Sequence, residues 1–190
     1  TSSVTFYLAE GTYYAGTTVS DSDSTWTGDI SFIGSSRDNV IIRGSSLADP
    51  ENLSSNGMEL SNKSGSIHVE SLTMEYAKYG FYFDKCSKDD GKKVRFVDVH
   101  FTKCGSKGVF DDHDDNGKTQ TQCAAIYSSD RTSSGGAVRI IDCGPLEVVD
   151  CLVNYCLRGL RIQDCMLGGV IRDNVVHHVL DNGIYLAASG

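Results

Sequence analysis

The chain has 190 residues, enough for one domain with a hydrophobic core, and its hydrophobic share of 39% is ordinary for a folded protein. Its formal net charge of −8 argues against a nucleic-acid backbone as partner and against electrostatic docking on an anionic membrane. The 20 glycines against 2 prolines favour many tight turns over a disordered linker.

The chain is strand-like from Val4 onward, and its main feature is an internal repeat. Four segments align with almost no gaps: 67–83, 94–110, 146–162 and 170–186. Each contains a short apolar strand, an acidic residue, a second strand, a turn, a glycine and a third strand. The acidic residues of the four copies are Glu70, Asp98, Asp150 and Asp173.

Glycines mark the start of the third strand in each copy. Weaker copies at 56–60 and 135–139 extend the series. The full glycine series is Gly57, Gly80, Gly108, Gly135, Gly159 and Gly183, with steps of 23 to 28 residues. The strands of one copy are too short to be stable alone, but stacked copies would pair every strand with its counterpart about 4.8 Å away.

The repeat therefore predicts an all-β fold, a single-stranded parallel β-helix (solenoid) with coils of about 23–28 residues. Side chains alternate along each strand, so identical apolar positions would stack into a continuous buried column. We expect residues 1–190 to form a single β-helix domain. Two alternatives stay open, a complete domain and a fragment of a longer solenoid.

Segments near both ends resemble a known superfamily. Residues 4–14 (VTFYLAEGTYY) with 39–44 (NVIIRG), and residues 173–176 (DNVV) with 181–186 (DNGIYL), resemble coils of the pectin-lyase-like superfamily. That superfamily comprises right-handed parallel β-helix proteins such as pectate lyases, alginate lyases, mannuronan epimerases, polygalacturonases and phage tailspikes. The resemblance implies a right-handed β-helix and a secreted, extracellular protein that acts on an acidic polysaccharide as a lyase or epimerase.

A second function fits the same fold. A non-catalytic structural β-solenoid, such as an adhesin, a phage tail-fibre segment or a subunit of a self-assembling extracellular filament, would have the same repeat. No capping helix is readable before Val4, and no polar cap follows Leu186. Exposed strand edges pair with other strands, so we expect end-to-end self-association or binding of other chains at these ends.

The third strand of each copy predicts a solvent-facing surface. The second residue after each glycine gives the column Glu59, Tyr82, Phe110, Ala137, Arg161 and Tyr185. The fourth residue gives the column Ser61, Asp84, Asp112, Arg139, Gln163 and Ala187. Aromatic rings can stack on sugar rings while charges bind hydroxyls and carboxylates, which makes Glu59, Tyr82, Phe110 and Tyr185 candidate substrate-binding residues. The alternative is an ordinary solvated face of the solenoid.

Charged residues of this surface are candidates for catalysis. The resemblance implies that the substrate carboxylate is neutralised by calcium or basic side chains and that a base removes the proton at C5. Arg139 and Arg161 are the basic candidates. Asp84 and Asp112, expected on consecutive coils, could supply two oxygen ligands to Ca²⁺. A surface ladder of opposite charges is the alternative.

The segment 110–117 (FDDHDDNG) carries two further motifs. Its start is similar to the FDPH segment of mannuronan C5-epimerases, with Asp112 in place of the proline, which implies proton transfer by Asp111 and His113. Residues 112–117 also fit the front half of a calcium loop, with Asp112, Asp114 and Asn116 as ligands. Calcium is therefore the predicted cofactor, and an acidic turn without an ion is the alternative.

Cysteines and histidines leave two further expectations. Seven cysteines are compatible either with extracellular disulfides or with buried free thiols, and the odd number leaves at least one unpaired within the chain. His177 and His178 are adjacent on a predicted strand, so we expect their side chains to face opposite sides.

Overall fold

The computed structural model describes residues 2–15, 27–45, 53, 55–105, 135–165 and 168–188. Within these ranges the chain is all-β, and no helix there is available to span a membrane. The fifteen strands are β1 (Val4–Leu8), β2 (Gly11–Tyr14), β3 (Ile30–Gly34), β4 (Val40–Arg43), β5 (Met58–Ser61), β6 (Ile67–Glu75), β7 (Tyr79–Asp84), β8 (Val94–Thr102), β9 (Gly136–Ile141), β10 (Leu146–Val149), β11 (Leu152–Cys156), β12 (Leu160–Gln163), β13 (Gly169–Arg172), β14 (Val175–Val179) and β15 (Ile184–Ala187).

The strands form two sheets in which every pairing between described strands is parallel. The larger sheet contains two rows of strands, because β6 and β8 are long enough to belong to both. We call β1-β3-β6-β8-β10-β13 the first row and β2-β4-β6-β8-β11-β14 the second row. The five-stranded sheet β5-β7-β9-β12-β15 is the third row. Each strand pairs with its counterparts in the preceding and following repeat, as the internal similarity predicts.

The register corrects the predicted glycine series in one place. Third-row partners Met58, Phe81, Val138, Leu160 and Ile184 are separated by 23, 57, 22 and 24 residues. The strands β8 and β9 therefore belong to one repeat, and Gly108 and Gly135 do not start two separate third-row strands. The residue that aligns with Gly80 and Gly159 is Ala137.

The core lies between the rows and is built from side chains that alternate inward along each strand. In β7 the buried Phe81 and Phe83 flank the half-buried Tyr82. Phe96 and Phe101 of β8 complete a ring cluster whose centroids lie 5.3–5.9 Å apart. Burying a phenylalanine side chain contributes about 1.5–3 kcal/mol, so this cluster is a main source of stability.

The corners between rows have one conformation in common. Among the described residues, twelve of the thirteen non-glycine residues with positive φ occupy three columns in successive repeats, with φ between 48° and 60°. The first corner contains Ser71, Asp98, Asp150 and Asp173, the second Tyr76, Lys103, Tyr155 and His178, and the third Asn62, Lys85, Asp142 and Asp164. Aspartate and asparagine tolerate this left-handed conformation better than most residues, which explains the repeated acidic position. Ser71, and not Glu70, aligns with Asp98.

The second corner overturns the expected placement of two histidines. His178 has a φ of 50°, which ends the alternation of side chains in β14. Both His177 and His178 are exposed, and they lie on the same side of the sheet with Nδ1 atoms 2.5 Å apart.

The described cysteines are thiols, and five of these six are buried. Cys86, Cys143 and Cys165 stack in one column after the third row, where the Cys86 backbone N–H donates to the Cys143 Sγ at 3.3 Å. Burial raises the pKa of the Cys151 thiol to about 11. The described part of the chain thus follows the free-thiol alternative, and Cys123 lies outside it.

Substitutions at Lys85 test the importance of the corners. Lys85 is exposed and has a φ of 55°, where a β-branched side chain is strongly disfavoured. We expect Lys85→Val to lower the free energy of unfolding by about 1–2 kcal/mol relative to Lys85→Gly, measured by urea denaturation. At Ser61, in the extended strand β5, the order should reverse because valine favours strands over glycine. Equal stabilities of the two Lys85 variants would contradict the role of the corner.

Candidate functional site

The third row presents one outward-facing column of charged and aromatic side chains. Glu59, Tyr82, Arg139, Arg161 and Tyr185 are in register on the consecutive strands β5, β7, β9, β12 and β15. Their neighbours along β7, β9 and β12 are buried, so the strands direct this column away from the core. The column crosses five strands, which spans about 19 Å.

Arg139 lies in a different column from the predicted one. It was expected in the column of Ser61, Asp84 and Gln163. Ile141 occupies that position on β9, and Arg139 aligns with Tyr82 and Arg161. The reason is the shift of the repeat to Ala137, a fully buried residue that the prediction placed on the surface. The shift makes Arg139 and Arg161 direct neighbours on adjacent strands.

Tyrosine rings flank the two arginines. The Arg139 guanidinium lies 5.3 Å from the ring centre of Tyr82 and 5.6 Å from that of Tyr79. The Arg161 guanidinium lies 5.5 Å from the ring centre of Tyr185. Cation–π contacts of this kind contribute about 0.5–2 kcal/mol, and they hold both guanidinium groups over neighbouring rings. Burial raises the pKa of Tyr82, although the Arg139 charge opposes the shift, so its hydroxyl stays protonated at neutral pH.

No ion pair joins Arg139 or Arg161 to a carboxylate of the described residues. Like charges directly opposite on neighbouring strands destabilise a sheet. The Nε atoms of Arg139 and Arg161 are buried without a hydrogen-bond acceptor, and neither side chain pairs with a carboxylate of the described residues. A buried donor without a partner costs about 1–3 kcal/mol. An anion that accepted hydrogen bonds from both guanidinium groups would weaken the repulsion between them and would satisfy their free N–H donors.

A small cavity lies beside Arg161. Its volume is about 160 Å³, and its walls include Arg158, Asp181, Asn182 and Tyr185. Arg158 differs from the arginine pair because its Nε is 2.7 Å from a carboxylate oxygen of Asp181. A larger cavity of about 380 Å³ is lined mainly by apolar residues of the last repeats, including Leu146 and Ile162, and has no cluster of charged side chains.

The remaining predicted site residues are not gathered at the arginine pair. Glu59 is at the far end of the column, where its Oε2 accepts a hydrogen bond of 2.8 Å from Asn56 Nδ2. Asp84 is in the next column, between Ser61 and Ile141. The residues outside the described ranges are Phe110, Asp111, Asp112, His113, Asp114 and Asn116.

The predicted pairing of Asp84 with Asp112 stays a prediction, because Asp112 lies outside the described residues. Among the described strands, β7 pairs with β5 and β9, which place Ser61 and Ile141 beside Asp84. Within the described residues no group of three or more histidine, cysteine, aspartate or glutamate side chains could hold a metal ion.

Sequence reasoning missed the contact between the two arginines and the part played by Tyr79. The signal was available in β9, where Gly136-Ala137 gives the small residues that precede a third-row strand and Val138 and Ile140 alternate inward. Aligning those two apolar residues with Phe81 and Phe83 would have placed Arg139 opposite Tyr82.

Comparison with known proteins gives no family for this chain: no family model, no curated protein and no solved structure matches it. The geometry of the third row is therefore the basis for a functional assignment.

The response of stability to salt should reveal the arginine repulsion. Raising NaCl from about 10 mM to about 300 mM shortens the screening length and should stabilise the protein by weakening this repulsion. In Arg161→Gln we expect the salt-dependent gain in the free energy of unfolding to be smaller by about 0.5 kcal/mol. Lys85→Gln is the control, since its column neighbours are Asn62 and Asp142. If the salt-dependent gain in the free energy of unfolding were the same in Arg161→Gln and Lys85→Gln, the proposed repulsion between Arg139 and Arg161 would be contradicted.

Proposed function

We propose that this chain is a right-handed parallel β-helix whose third row binds an acidic polysaccharide outside the cell. The three rows of parallel strands, each paired with its counterparts in adjacent repeats, support the β-helix. Left-handed corner residues repeated at three positions support it as well, because a coil of three strands needs three bends. The resemblance of the terminal segments to the pectin-lyase-like superfamily supports the right-handed form and the extracellular location.

The observation that carries the proposed function is the in-register arrangement of Tyr82, Arg139, Arg161 and Tyr185. Two adjacent guanidinium groups without a described carboxylate partner favour an anionic ligand, and arginine recognises a carboxylate in a bidentate manner. Tyr185 is 38% exposed and offers its ring to a sugar at one end of the pair. Strands in register repeat this chemistry along the sheet, which suits a polymer.

The reaction that we propose begins with removal of the C5 proton of a bound uronate. Arg161 binds the carboxylate as a guanidinium ion. Arg139 takes part in this step as a neutral guanidine, and it becomes a guanidinium ion when it accepts the proton. In a lyase, the electron pair of the C5–H bond forms a C4=C5 double bond while the C4–O bond breaks, and the leaving oxygen takes a proton from water. In an epimerase, a proton returns to C5 from the opposite face and no bond of the chain breaks. The residues implied for proton transfer in epimerases, Asp111 and His113, lie outside the described ranges.

Calcium would be bound by Asp112, Asp114 and Asn116, which lie outside the described residues. No step of the proposed reaction depends on it. Arg161 supplies the positive charge that the substrate carboxylate needs.

Incubation with defined polysaccharides tests this function. The purified chain would be mixed with pectate, alginate and a glycosaminoglycan, first with calcium and then with a chelator, while absorbance of the unsaturated uronate product is followed. Affinity for oligosaccharides of the same polymers would be measured in parallel by calorimetry. We expect Arg139→Gln to abolish product formation, and Arg161→Gln to weaken binding at least tenfold because it removes a bidentate carboxylate contact.

Lys85→Gln removes a cation outside the column and should leave both readouts unchanged. Binding without product on any polymer would reject the lyase and leave a binding protein or an epimerase, which proton exchange at C5 would distinguish. No binding to any of the three polymers, or binding insensitive to both arginine substitutions, would refute the proposal.

A second candidate is a structural β-solenoid that self-associates. The outermost described strands carry large exposed apolar side chains, including Tyr7 at 79%, Val175 at 57% and Leu186 at 66%. Exposed apolar surface of this kind is buried in protein interfaces. A second copy stacked end to end would cover these residues and pair the open strand edges.

Sedimentation velocity tests the self-association. We expect the chain to form concentration-dependent oligomers that Leu186→Lys shifts toward monomer, because a buried lysine without a partner is costly. Lys85→Gln, at an exposed corner that lies between Asn62 and Asp142, is the control and should not change the distribution. A monomer at all concentrations would exclude this candidate.

A further inference from the structure

The second corner differs in composition from the other two. The first and third corners hold serine, asparagine and aspartate with one lysine, whereas the second holds Tyr76, Lys103, Tyr155 and His178. A left-handed conformation costs about 1–2 kcal/mol for a residue with a large side chain. Such strain is often found where side chains are positioned for a ligand, so the second corner is a candidate for a further site.

The strain at His178 places two imidazole rings face to edge. The rings of His177 and His178 have centroids 4.7 Å apart and an interplanar angle of 75°. Their Nδ1 atoms are 2.5 Å apart, and both residues are exposed. Two nitrogen atoms at this distance cannot both carry hydrogen, and two bare lone pairs would repel each other. Without a metal, one Nδ1–H must therefore donate a hydrogen bond to the other Nδ1. A cation between them satisfies both nitrogens.

Tyr155 holds this arrangement in place. Its ring stacks on His178 with centroids 5.1 Å apart and an angle of 18°, and it contacts the His177 ring edge-on at 6.3 Å. Tyr155 is itself fixed by the corner, with a φ of 50°. The imidazole pair is therefore oriented before any ligand arrives, which reduces the entropy lost on binding.

We propose that His177 and His178 bind one divalent transition-metal ion, with highest affinity for Cu²⁺, through their two Nδ1 atoms. Imidazole nitrogen is a preferred ligand of copper, nickel and zinc, and copper binds most tightly among the divalent first-row metals. Both nitrogens donate lone pairs to the metal, two of its waters leave, and any proton held between the rings is released. The formal net charge of −8 favours a cation on this protein.

The geometry requires only a small adjustment. Metal–nitrogen distances of about 2.0–2.1 Å with the two ligands at right angles need the nitrogens about 2.9 Å apart. Rotation of the exposed His177 ring provides this change. Water fills the remaining coordination positions, since the described residues add no third histidine, cysteine or acidic ligand. The site lies on the second row and does not depend on the proposed polysaccharide function.

Calorimetric titration of the full chain with Cu²⁺ in a non-chelating buffer tests the site. We expect one tight equivalent, and at least a tenfold loss of affinity in both His177→Gln and His178→Asn. Asparagine suits the left-handed corner, so the second variant should keep its fold, which circular dichroism would check. His100→Gln is the matched control, since His100 contacts Asn154 at 3.0 Å and belongs to no histidine pair. Its affinity should equal that of the unchanged protein.

Electron paramagnetic resonance provides a second readout. Cu²⁺ bound by two imidazoles should show coupling to two nitrogens, and each single variant should reduce this to at most one. Affinities within threefold of the unchanged protein in both folded variants would overturn the proposal. A spectrum without two-nitrogen coupling would also overturn it.

Discussion

Left-handed backbone recurs at three corners, in four successive repeats at each corner, and it determines where the strands of those repeats lie. Each corner turns the chain from one row to the next, so the rows keep their register only if the same conformation recurs at the same position. Short polar residues such as Asp150 and Asp164 accept this conformation at low cost. With the corners fixed, alternation along the strands directs Phe81 and Phe83 inward and Tyr82 outward, and the core and the functional face follow.

Most of the fold could be predicted from the sequence, because both the apolar residues and the turn residues recur in each copy of the repeat. The parallel pairing of successive copies is confirmed, as is the all-β class. Gly108-Val109-Phe110 and Gly136-Ala137-Val138 have similar glycine and apolar patterns in the sequence, and the first of these segments lies outside the described residues. Local pattern cannot decide between two such segments. The choice depends on which strand completes the sheet, and β9 does so beside β7.

The candidate site could be predicted only in part for the same reason. Glu59, Tyr82, Arg161 and Tyr185 were placed in one column, and their register agrees with this. Arg139 was placed two positions away along its strand, an error that follows directly from the choice of Gly135 as the start of the copy. Side chains alternate with a period of two, so an error of two positions leaves Arg139 on the correct face of the sheet. It changes which side chains of the adjacent strands lie beside Arg139. The chemistry changes with it, from an aspartate beside an arginine to two adjacent arginines.

The 57-residue interval between Phe81 and Val138 shows how this architecture accommodates changes in chain length. The other third-row intervals are 22 to 24 residues, yet the strands on both sides of the long interval stay in register. Loop closure becomes less favourable by only about 0.6 kcal/mol for each doubling of loop length. A segment between β8 and β9 can therefore be lengthened, shortened or replaced during evolution while Tyr82 and Arg139 remain neighbours. The scaffold and the segment inserted into it can diverge at different rates.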